Sequence, residues 1–98
     1  MKTINTRRSI RKYSDRNVSD ELLNRLLSEA MRTQTMGNLQ FYSVVVTRDS
    51  EMKQRLAPAH FNQPMVTSAP VVLTFCADTR RTSIWADNRQ AVPGYDNL

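Results

Sequence analysis

Apolar residues recur at three- and four-residue spacing in one segment near the start of the chain. The apolar positions are Leu22, Leu23, Leu26, Leu27, Ala30 and Met31, and polar residues occupy the positions between them. This periodicity predicts an amphipathic α-helix of about three turns. Ser19 can accept a hydrogen bond at the start of this helix, and Asp20 and Glu21 complement the positive end of its dipole.

Two later segments are rich in β-branched and aromatic residues and predict strands. They span residues 41–47 and 71–77, and the second follows directly on Pro70. Both read as strands that are buried on both faces. Two strands rarely make a self-sufficient sheet, and their burial needs more cover than one amphipathic helix supplies. The pattern therefore predicts an α+β or α/β arrangement of which the chain holds an incomplete portion.

Weaker signals predict the remaining elements. Residues 2–8 can form a short helix, and residues 33–38 form a loop that contains Gly37. Asp49 or Ser50 can cap a helix that runs through Leu56 and ends before Pro58. Residues 60–68 are compatible with a helix that has Pro64 in its first turn. Residues 78–98 show no comparable periodicity around Ile84 and Trp85.

Composition describes an ordinary globular chain and narrows the class of partner. The 98 residues are 40% hydrophobic and 23% charged, with a net charge of +5. This charge alone suggests a nucleic-acid or polyanion-binding module. However, most basic residues are scattered along the chain, and they cluster only at residues 7–12 and at the pair Arg80–Arg81. The sequence also lacks the basic stripe with stacking aromatic residues that is typical of nucleic-acid binding. We therefore expect no nucleic-acid partner.

The sequence gives no indication of a membrane segment, a secretory signal or a metal site. Its apolar runs are of strand length, and no apolar core follows Lys2, so neither a membrane span nor a secretory signal is expected. The single cysteine, Cys76, suits a reducing cytoplasm. No cysteine or second histidine accompanies His60 at ligand spacing, so no metal site is expected.

A compact cationic group lies at Arg7, Arg8, Ser9 and Arg11. Three guanidinium groups and a hydroxyl within five residues provide the paired donors that a phosphate dianion requires. If the segment is helical, Arg7 and Arg11 project from the same face. The alternative is a solvated basic helix face.

The loop at residues 35–40 carries a second candidate group. Asn38 and Gln40 offer both donors and acceptors, so they can read the edge of a flavin or a nucleobase, and Gly37 permits close approach of the backbone. The alternative is a polar loop that caps the preceding helix. Trp85, Asp87 and Arg89 are interpreted as a structural or interface cluster.

Taken in order, these motifs resemble the nitroreductase family of flavin mononucleotide (FMN) enzymes. The residues from Arg7 to Tyr13 are similar to the family's Arg-x-Ser-x-Arg/Lys opening. The residues Asn38-Leu39-Gln40 stand where the family often has Asn-x-Gln-Pro-Trp before a valine-rich strand, with Phe41-Tyr42 replacing Pro-Trp. Asn62-Gln63 then precedes an Ala-Pro-Val-Val strand at residues 69–72.

The resemblance implies a fold and a set of cofactor-binding residues. The fold is α+β, with α/β/α layers around a central, mainly antiparallel sheet, and residues 1–98 form the N-terminal part of a single FMN-binding domain. Arg7, Ser9 and Arg11, with Arg8 contributing, would hold the phosphate and ribityl chain. Asn62, and less certainly Gln63, would lie near the pyrimidine edge. Further contacts, from a partner subunit's loop, would come from Gln34, Thr35, Met36 and Asn38.

The activity implied by the resemblance is an oxidoreductase reaction in a cytoplasmic homodimer. NADH or NADPH would pass a hydride through FMN to a nitro compound, a quinone or a similar small-molecule acceptor. No side chain need act as a proton donor, and no catalytic residue is assigned. Two alternatives stay open, namely a non-catalytic fragment and a basic module that binds polyanions or nucleic acid.

Overall fold

A computed structural model describes residues 1–92 of the chain. It contains five α-helices and two strands in that range, together with 3₁₀ turns at Met36–Asn38 and Ala57–His60. The elements are α1 (Lys2–Thr6), α2 (Asp20–Ala30), β1 (Tyr42–Thr47), α3 (Ser50–Leu56), α4 (Pro64–Ser68), β2 (Val72–Ala77) and α5 (Arg80–Asn88). They fall into two compact units. The first unit comprises residues 1–18 and 47–72, and the second comprises residues 19–46 and 73–92.

The first unit begins with a helix that is shorter than predicted. Helix α1 ends at Thr6, and Arg7 is already extended, with φ −61° and ψ 139°. Residues 7–11 are not helical, so the condition under which Arg7 and Arg11 would share a helical face is not met. Helix α1 contains no buried residue. It has little to stabilise it further, because helices of this length are marginal without tertiary packing.

Helices α3 and α4 and the 3₁₀ turn between them form the packed part of the first unit. The Asp49 carboxylate accepts a 2.9 Å hydrogen bond from the main-chain N–H of Met52, which confirms the predicted cap. Ala57, Val66 and Ala69 are buried. The buried Lys53 Nζ donates to the main-chain carbonyl of Ala69 at 2.9 Å, so one lysine joins α3 to the end of α4.

The second unit contains the amphipathic helix that the periodicity predicted. The Ser19 hydroxyl accepts a hydrogen bond from the main-chain N–H of Leu22 at 3.2 Å, which confirms the N-cap. Leu23 is buried, whereas Leu22 and Leu26 are about half exposed. The apolar stripe of α2 is thus only partly covered by residues 1–92.

Strands β1 and β2 pair as a two-stranded antiparallel sheet. The main-chain N–H of Asp78, which follows β2, donates to the carbonyl of Phe41, which precedes β1, at 3.0 Å. The expectation that both strands are buried on both faces is wrong for this structure. In β1 the consecutive Val45 and Val46, which point to opposite faces, are 52% and 38% exposed, and in β2 Phe75 is 69% exposed.

Helix α5 follows β2 and was not predicted. The Asp78 carboxylate accepts a 3.0 Å hydrogen bond from the main-chain N–H of Arg80 and so marks the start of this helix. Its sequence lacks a strong apolar stripe, and only Thr82 and Ala86 of this helix are buried. No helix within residues 1–92 has the length and apolar character needed to cross a bilayer.

Candidate functional site

The cationic segment follows α1, in a stretch with neither helix nor strand that begins with extended backbone at Arg7. Arg7, Arg8, Ser9 and Arg11 are all exposed. None of their side chains makes a hydrogen bond or an ion pair with any residue in the range 1–92. Three guanidinium groups and a hydroxyl therefore retain their full donor capacity for a ligand.

Asn62 and Gln63 lie in the same unit, just after the 3₁₀ turn. Phe61 and Asn62 both adopt left-handed backbone, with φ of 59° and 54°. The main-chain N–H of Asn62 donates to the carbonyl of Ala57 at 2.9 Å, which fixes this bend. The side chains of Asn62 and Gln63 are exposed and have no hydrogen-bond partner in residues 1–92. They therefore make no hydrogen bond to the arginine segment.

The predicted loop of the second unit contains a 3₁₀ turn with three residues in left-handed backbone. Gly37, Asn38 and Gln40 have φ of 58°, 55° and 55°. Such backbone is readily accessible to glycine and is tolerated by asparagine, but it is unusual for glutamine. The Thr35 hydroxyl accepts from the main-chain N–H of Gln40 at 3.3 Å, and Gln40 Nε2 donates to Asn38 Oδ1 at 2.7 Å. These bonds hold the amide groups in place.

The other predicted loop residues differ in their surroundings. Met36 is 91% exposed and projects from the turn, Gln34 is also exposed, and Thr35 is half-buried under the turn. The structure thus places Gln34, Met36 and Asn38 on the accessible side of the loop, while Thr35 supports it from within.

A pocket of about 380 Å³ opens between this loop and α5. It is lined by Gly37, Asn38, Leu39, Gln40, Arg81, Thr82 and Trp85. Only Asn38 in this set was predicted as a site residue. Gln40 was recognised as a group that could read the edge of a heterocycle, but it was not assigned to the flavin site. Helix α5 was missed, so Arg81 and Trp85 were not connected with the loop.

The residues Arg81, Trp85 and Arg89 follow one another at four-residue spacing on α5 and its end. Positions four apart lie on the same face of a helix. The Arg89 guanidinium lies 5.7 Å from the centre of the Trp85 ring. This separation is within the range of a cation–π contact. Arg81 Nη2 lies 3.4 Å from the carbonyl of Tyr42, so its guanidinium is held near the start of β1. This spacing was the signal that could have found the pocket.

Asp78 links the start of α5 to β1. Its carboxylate accepts hydrogen bonds from the Ser43 hydroxyl and the main-chain N–H of Arg80. The bond from Ser43, followed by the bond from Arg80, holds the pKa of Asp78 below its ordinary value. Desolvation opposes this shift, and the nearby charges of Arg81 and Arg80 add to it. Hydrogen bonds and opposite charges favour the ionised form of a carboxyl group. Asp78 is therefore ionised at neutral pH and orients the helix start.

Neither His60 nor Cys76 contributes to a cluster of metal ligands. Across residues 1–92, the structure brings together no group of three His, Cys, Asp or Glu side chains that could hold a metal ion. Cys76 is a half-buried free thiol in β2.

The sequence and the fold both match known proteins. Residues 4–94 match the family model described as the Nitroreductase family. A crystal structure of a Bacteroides fragilis protein described as an oxidoreductase is 59% identical, with a TM-score of 0.92, over 100% of this chain and 40% of that one. The NADPH:FMN oxidoreductase of Vibrio harveyi, solved in complex with NAD⁺, is 32% identical with a TM-score of 0.79. The match covers 89% of this chain and 38% of the Vibrio harveyi chain.

A curated relative adds sequence support. The NADH dehydrogenase of Thermus thermophilus is 44% identical over 72 residues, which are 74% of this chain and 35% of the relative. The chain belongs to the nitroreductase family, and its helices and antiparallel strand pair confirm the predicted fold class. It spans less than half the length of the curated relatives it matches.

Proposed function

We propose that residues 1–98 form the N-terminal part of a single FMN-binding domain of an NAD(P)H-dependent oxidoreductase. The reductant would be NADH or NADPH, and the acceptor a nitro compound, a quinone or a similar small molecule. Relatives named FMN reductase [NAD(P)H] and NADPH-flavin oxidoreductase, from Bacillus subtilis and Vibrio harveyi, support this reaction class. Bound FMN would supply the hydride-transfer chemistry, and the chain would bind and orient it.

The observation that carries the proposal is the unpaired cationic segment. Arg7, Arg8, Ser9 and Arg11 form no contact with acidic side chains in residues 1–92, although the chain contains nine acids. A dense group of free guanidinium donors is suited to a phosphate dianion, which arginine can bind in a bidentate manner. The residues present therefore fit the phosphate of FMN.

The amide groups of Asn62 and Gln63 would orient the ring system. Each amide offers donors and an acceptor. Both side chains are exposed without a partner in the described part of the chain. The left-handed bend at Phe61 and Asn62 presents them in succession. In this proposal they hydrogen-bond the pyrimidine edge, and the proton balance of the reaction requires no acid on this chain.

The second part of the proposal is a flavin site shared between two copies of the chain in the cytoplasm. Gln34, Thr35, Met36 and Asn38 would reach the cofactor held by the partner, with exposed Met36 making apolar contact. The half-exposed leucines of α2 and the exposed Phe75 offer apolar surface for association. Cys76 is a free thiol, which suits a reducing compartment.

The phosphate assignment can be tested by comparing FMN with riboflavin, which lacks the phosphate. Flavin fluorescence titrations of protein containing residues 1–98 should show tighter binding of FMN, and the Arg7→Ala/Arg11→Ala variant should lose that preference. Each arginine is expected to contribute about 1.5–3 kcal/mol, the range for hydrogen bonds to charged groups. Lys12→Ala removes a neighbouring charge as the matched control. A double variant that still prefers FMN would contradict the assignment.

Sharing of the site can be tested by mixing two defective chains. If Arg11 and Asn38 come from different subunits, a mixed dimer of Arg11→Ala and Asn38→Ala chains contains one intact site and one doubly damaged site. Isolated mixed dimers should then bind flavin at half of the wild-type stoichiometry, and a randomly exchanged equal mixture at about a quarter. If both residues serve the same subunit's site, the mixture binds no better than the two variants alone, and the shared site is refuted.

A further inference from the structure

We propose that the pocket between the 36–40 turn and α5 binds an adenine nucleotide. Its volume is about 380 Å³. Small-molecule sites begin at roughly 300 Å³, so a compact ligand of this class fits. The pocket combines an aromatic ring and an amide, which suit the adenine base, with a guanidinium, which suits the phosphate. Its lining shares Asn38 with the proposed flavin contacts but includes none of the proposed phosphate ligands Arg7, Arg8, Ser9 and Arg11, so AMP binding can be measured apart from binding of the FMN phosphate.

Trp85 and Gln40 provide the contacts for the base. The Trp85 ring lines the pocket and is 56% exposed. A flat heterocycle can therefore stack on it. One Gln40 Nε2 hydrogen is used by Asn38 Oδ1, which leaves the second hydrogen and Oε1 without a partner in residues 1–92. A glutamine amide can pair with N6 and N7 of adenine, whereas guanine presents two acceptors at these positions. The pocket should therefore prefer adenine.

Arg81 provides the contact for the phosphate. Its guanidinium lines the pocket and makes a weak hydrogen bond to the Tyr42 carbonyl, at 3.4 Å. Most of its five donors are left available by this bond. Arg89 lies over the Trp85 ring and does not line the pocket, so the base would have to stack on the part of the ring that the guanidinium leaves open. Within residues 1–92 no carboxylate lines this pocket, and an anion therefore meets positive charge and neutral dipoles there.

The two walls of the pocket are joined before any ligand arrives. The Thr82 hydroxyl donates to the Leu39 carbonyl at 2.7 Å, and Gln40 is held by Thr35 and Asn38. A prearranged site loses less conformational freedom on binding than a mobile one. This rigidity also accounts for a glutamine in left-handed backbone, since strain of this kind persists where surrounding contacts impose it.

The chain contains its own reporter for this pocket, because Trp85 is its single tryptophan. Titration with AMP should quench its emission saturably when the indole is excited at the red edge of its band, where adenine does not absorb. GMP should bind about tenfold more weakly or worse, because the Gln40 pairing is lost. Inorganic phosphate alone should leave the emission unchanged. Absence of saturable quenching by AMP would overturn the proposal.

Two variants separate the site from general attraction between a basic protein and an anion. Arg81→Ala should weaken AMP binding about tenfold or more, since a charged hydrogen bond is lost. Arg80→Ala, the adjacent arginine that does not line the pocket, should leave it nearly unchanged. Equal losses in both variants would reduce the effect to net charge and refute the site. Far-UV circular dichroism confirms that both variants fold alike.

Photolabelling locates the ligand without relying on fluorescence, and it works in any longer polypeptide that contains the chain. 8-Azido-AMP should attach to the peptides that carry residues 37–40 or Trp85, and labelling confined to other peptides would refute the site. Competition then identifies the natural source of the adenosine phosphate. Displacement of AMP by NADPH but not by nicotinamide mononucleotide indicates the adenosine end of the reductant, whereas no displacement by NADPH indicates a free nucleotide.

Discussion

The Thr82 hydroxyl donates a 2.7 Å hydrogen bond to the main-chain carbonyl of Leu39, forty-three positions earlier in the chain. Thr82 is buried in the first turn of α5, and Leu39 ends the 3₁₀ turn that carries Asn38. One side chain thus fixes the distance between two walls of the pocket. It also stabilises the loop whose residues Met36 and Asn38 are proposed to reach a flavin.

Thr82→Val should destabilise the chain, because valine keeps the shape of threonine but cannot satisfy the Leu39 carbonyl. We expect a loss of about 1 kcal/mol in the free energy of unfolding, the usual net value of one hydrogen bond. Urea unfolding followed by Trp85 emission measures the change. Thr82→Ser, which keeps the hydroxyl, should retain the AMP-induced quenching. A valine variant as stable as wild type would show that the loop is held by other contacts.

Gly37→Ala should destabilise the loop through the backbone rather than through a clash. A Cβ at this position would meet Leu39 Cγ at 3.6 Å, an ordinary contact, but φ is +58°. Left-handed backbone costs an alanine about 1–2 kcal/mol relative to glycine. Gly37→Asn is the matched variant, since asparagine tolerates this conformation better, and thermal or urea unfolding should rank it between glycine and alanine. Equal stability of all three would contradict the assigned backbone.

Lys53→Met tests the buried lysine of the first unit. The Ala69 carbonyl would lose its 2.9 Å partner. Such a loss costs about 1–3 kcal/mol for a buried acceptor. Methionine also removes a charge that was desolvated, so the net loss in unfolding free energy should lie near the lower end of this range. Gln54→Met, one exposed position later, should change stability by no more than about 0.5 kcal/mol. A more stable Lys53→Met variant would show that desolvation dominates.

The contact between Ser43 and Asp78 should make part of the stability depend on pH. The folded pKa of Asp78 is lowered. The carboxylate therefore stabilises the fold above its unfolded pKa, and this contribution is lost as pH falls through the lower folded value. Ser43→Ala should be less stable than wild type at neutral pH, and the difference should shrink below about pH 4. Ser68→Ala controls for the change of residue type. A difference that is constant with pH would contradict the lowered pKa.

Local patterns in the sequence were sufficient for the elements whose signals are local. Helix α2 forms where the leucines repeat, and Ser19 and Asp49 cap α2 and α3 through contacts to residues three positions away. The strands likewise follow from their β-branched residues. The order of the Arg7–Tyr13, Asn38–Gln40 and Asn62–Gln63 motifs was sufficient for the nitroreductase family, which the family match confirms.

The places where the sequence misled are those where packing decides. Arg7 and Arg11 would share a face in a helix, but α1 ends at Thr6. It buries no residue, so no tertiary packing stabilises a longer helix. The valine-rich strands indicate burial on both faces, yet burial depends on covering layers, and residues 1–92 leave both Val45 and Val46 exposed. Helix α5 lacks a strong apolar stripe, and its start is marked by Asp78, whose carboxylate also contacts Ser43 on the neighbouring strand.

By itself the sequence determined the family, the main helices and strands, and the cationic segment, because each depends on residues near one another in the chain or on their order. Only the tertiary structure decided that Arg81 and Trp85 line one pocket with Gln40. That relationship depends on a strand pair and a hydrogen bond between Thr82 and Leu39, and contacts between residues forty positions apart leave no periodic signal in the sequence between them.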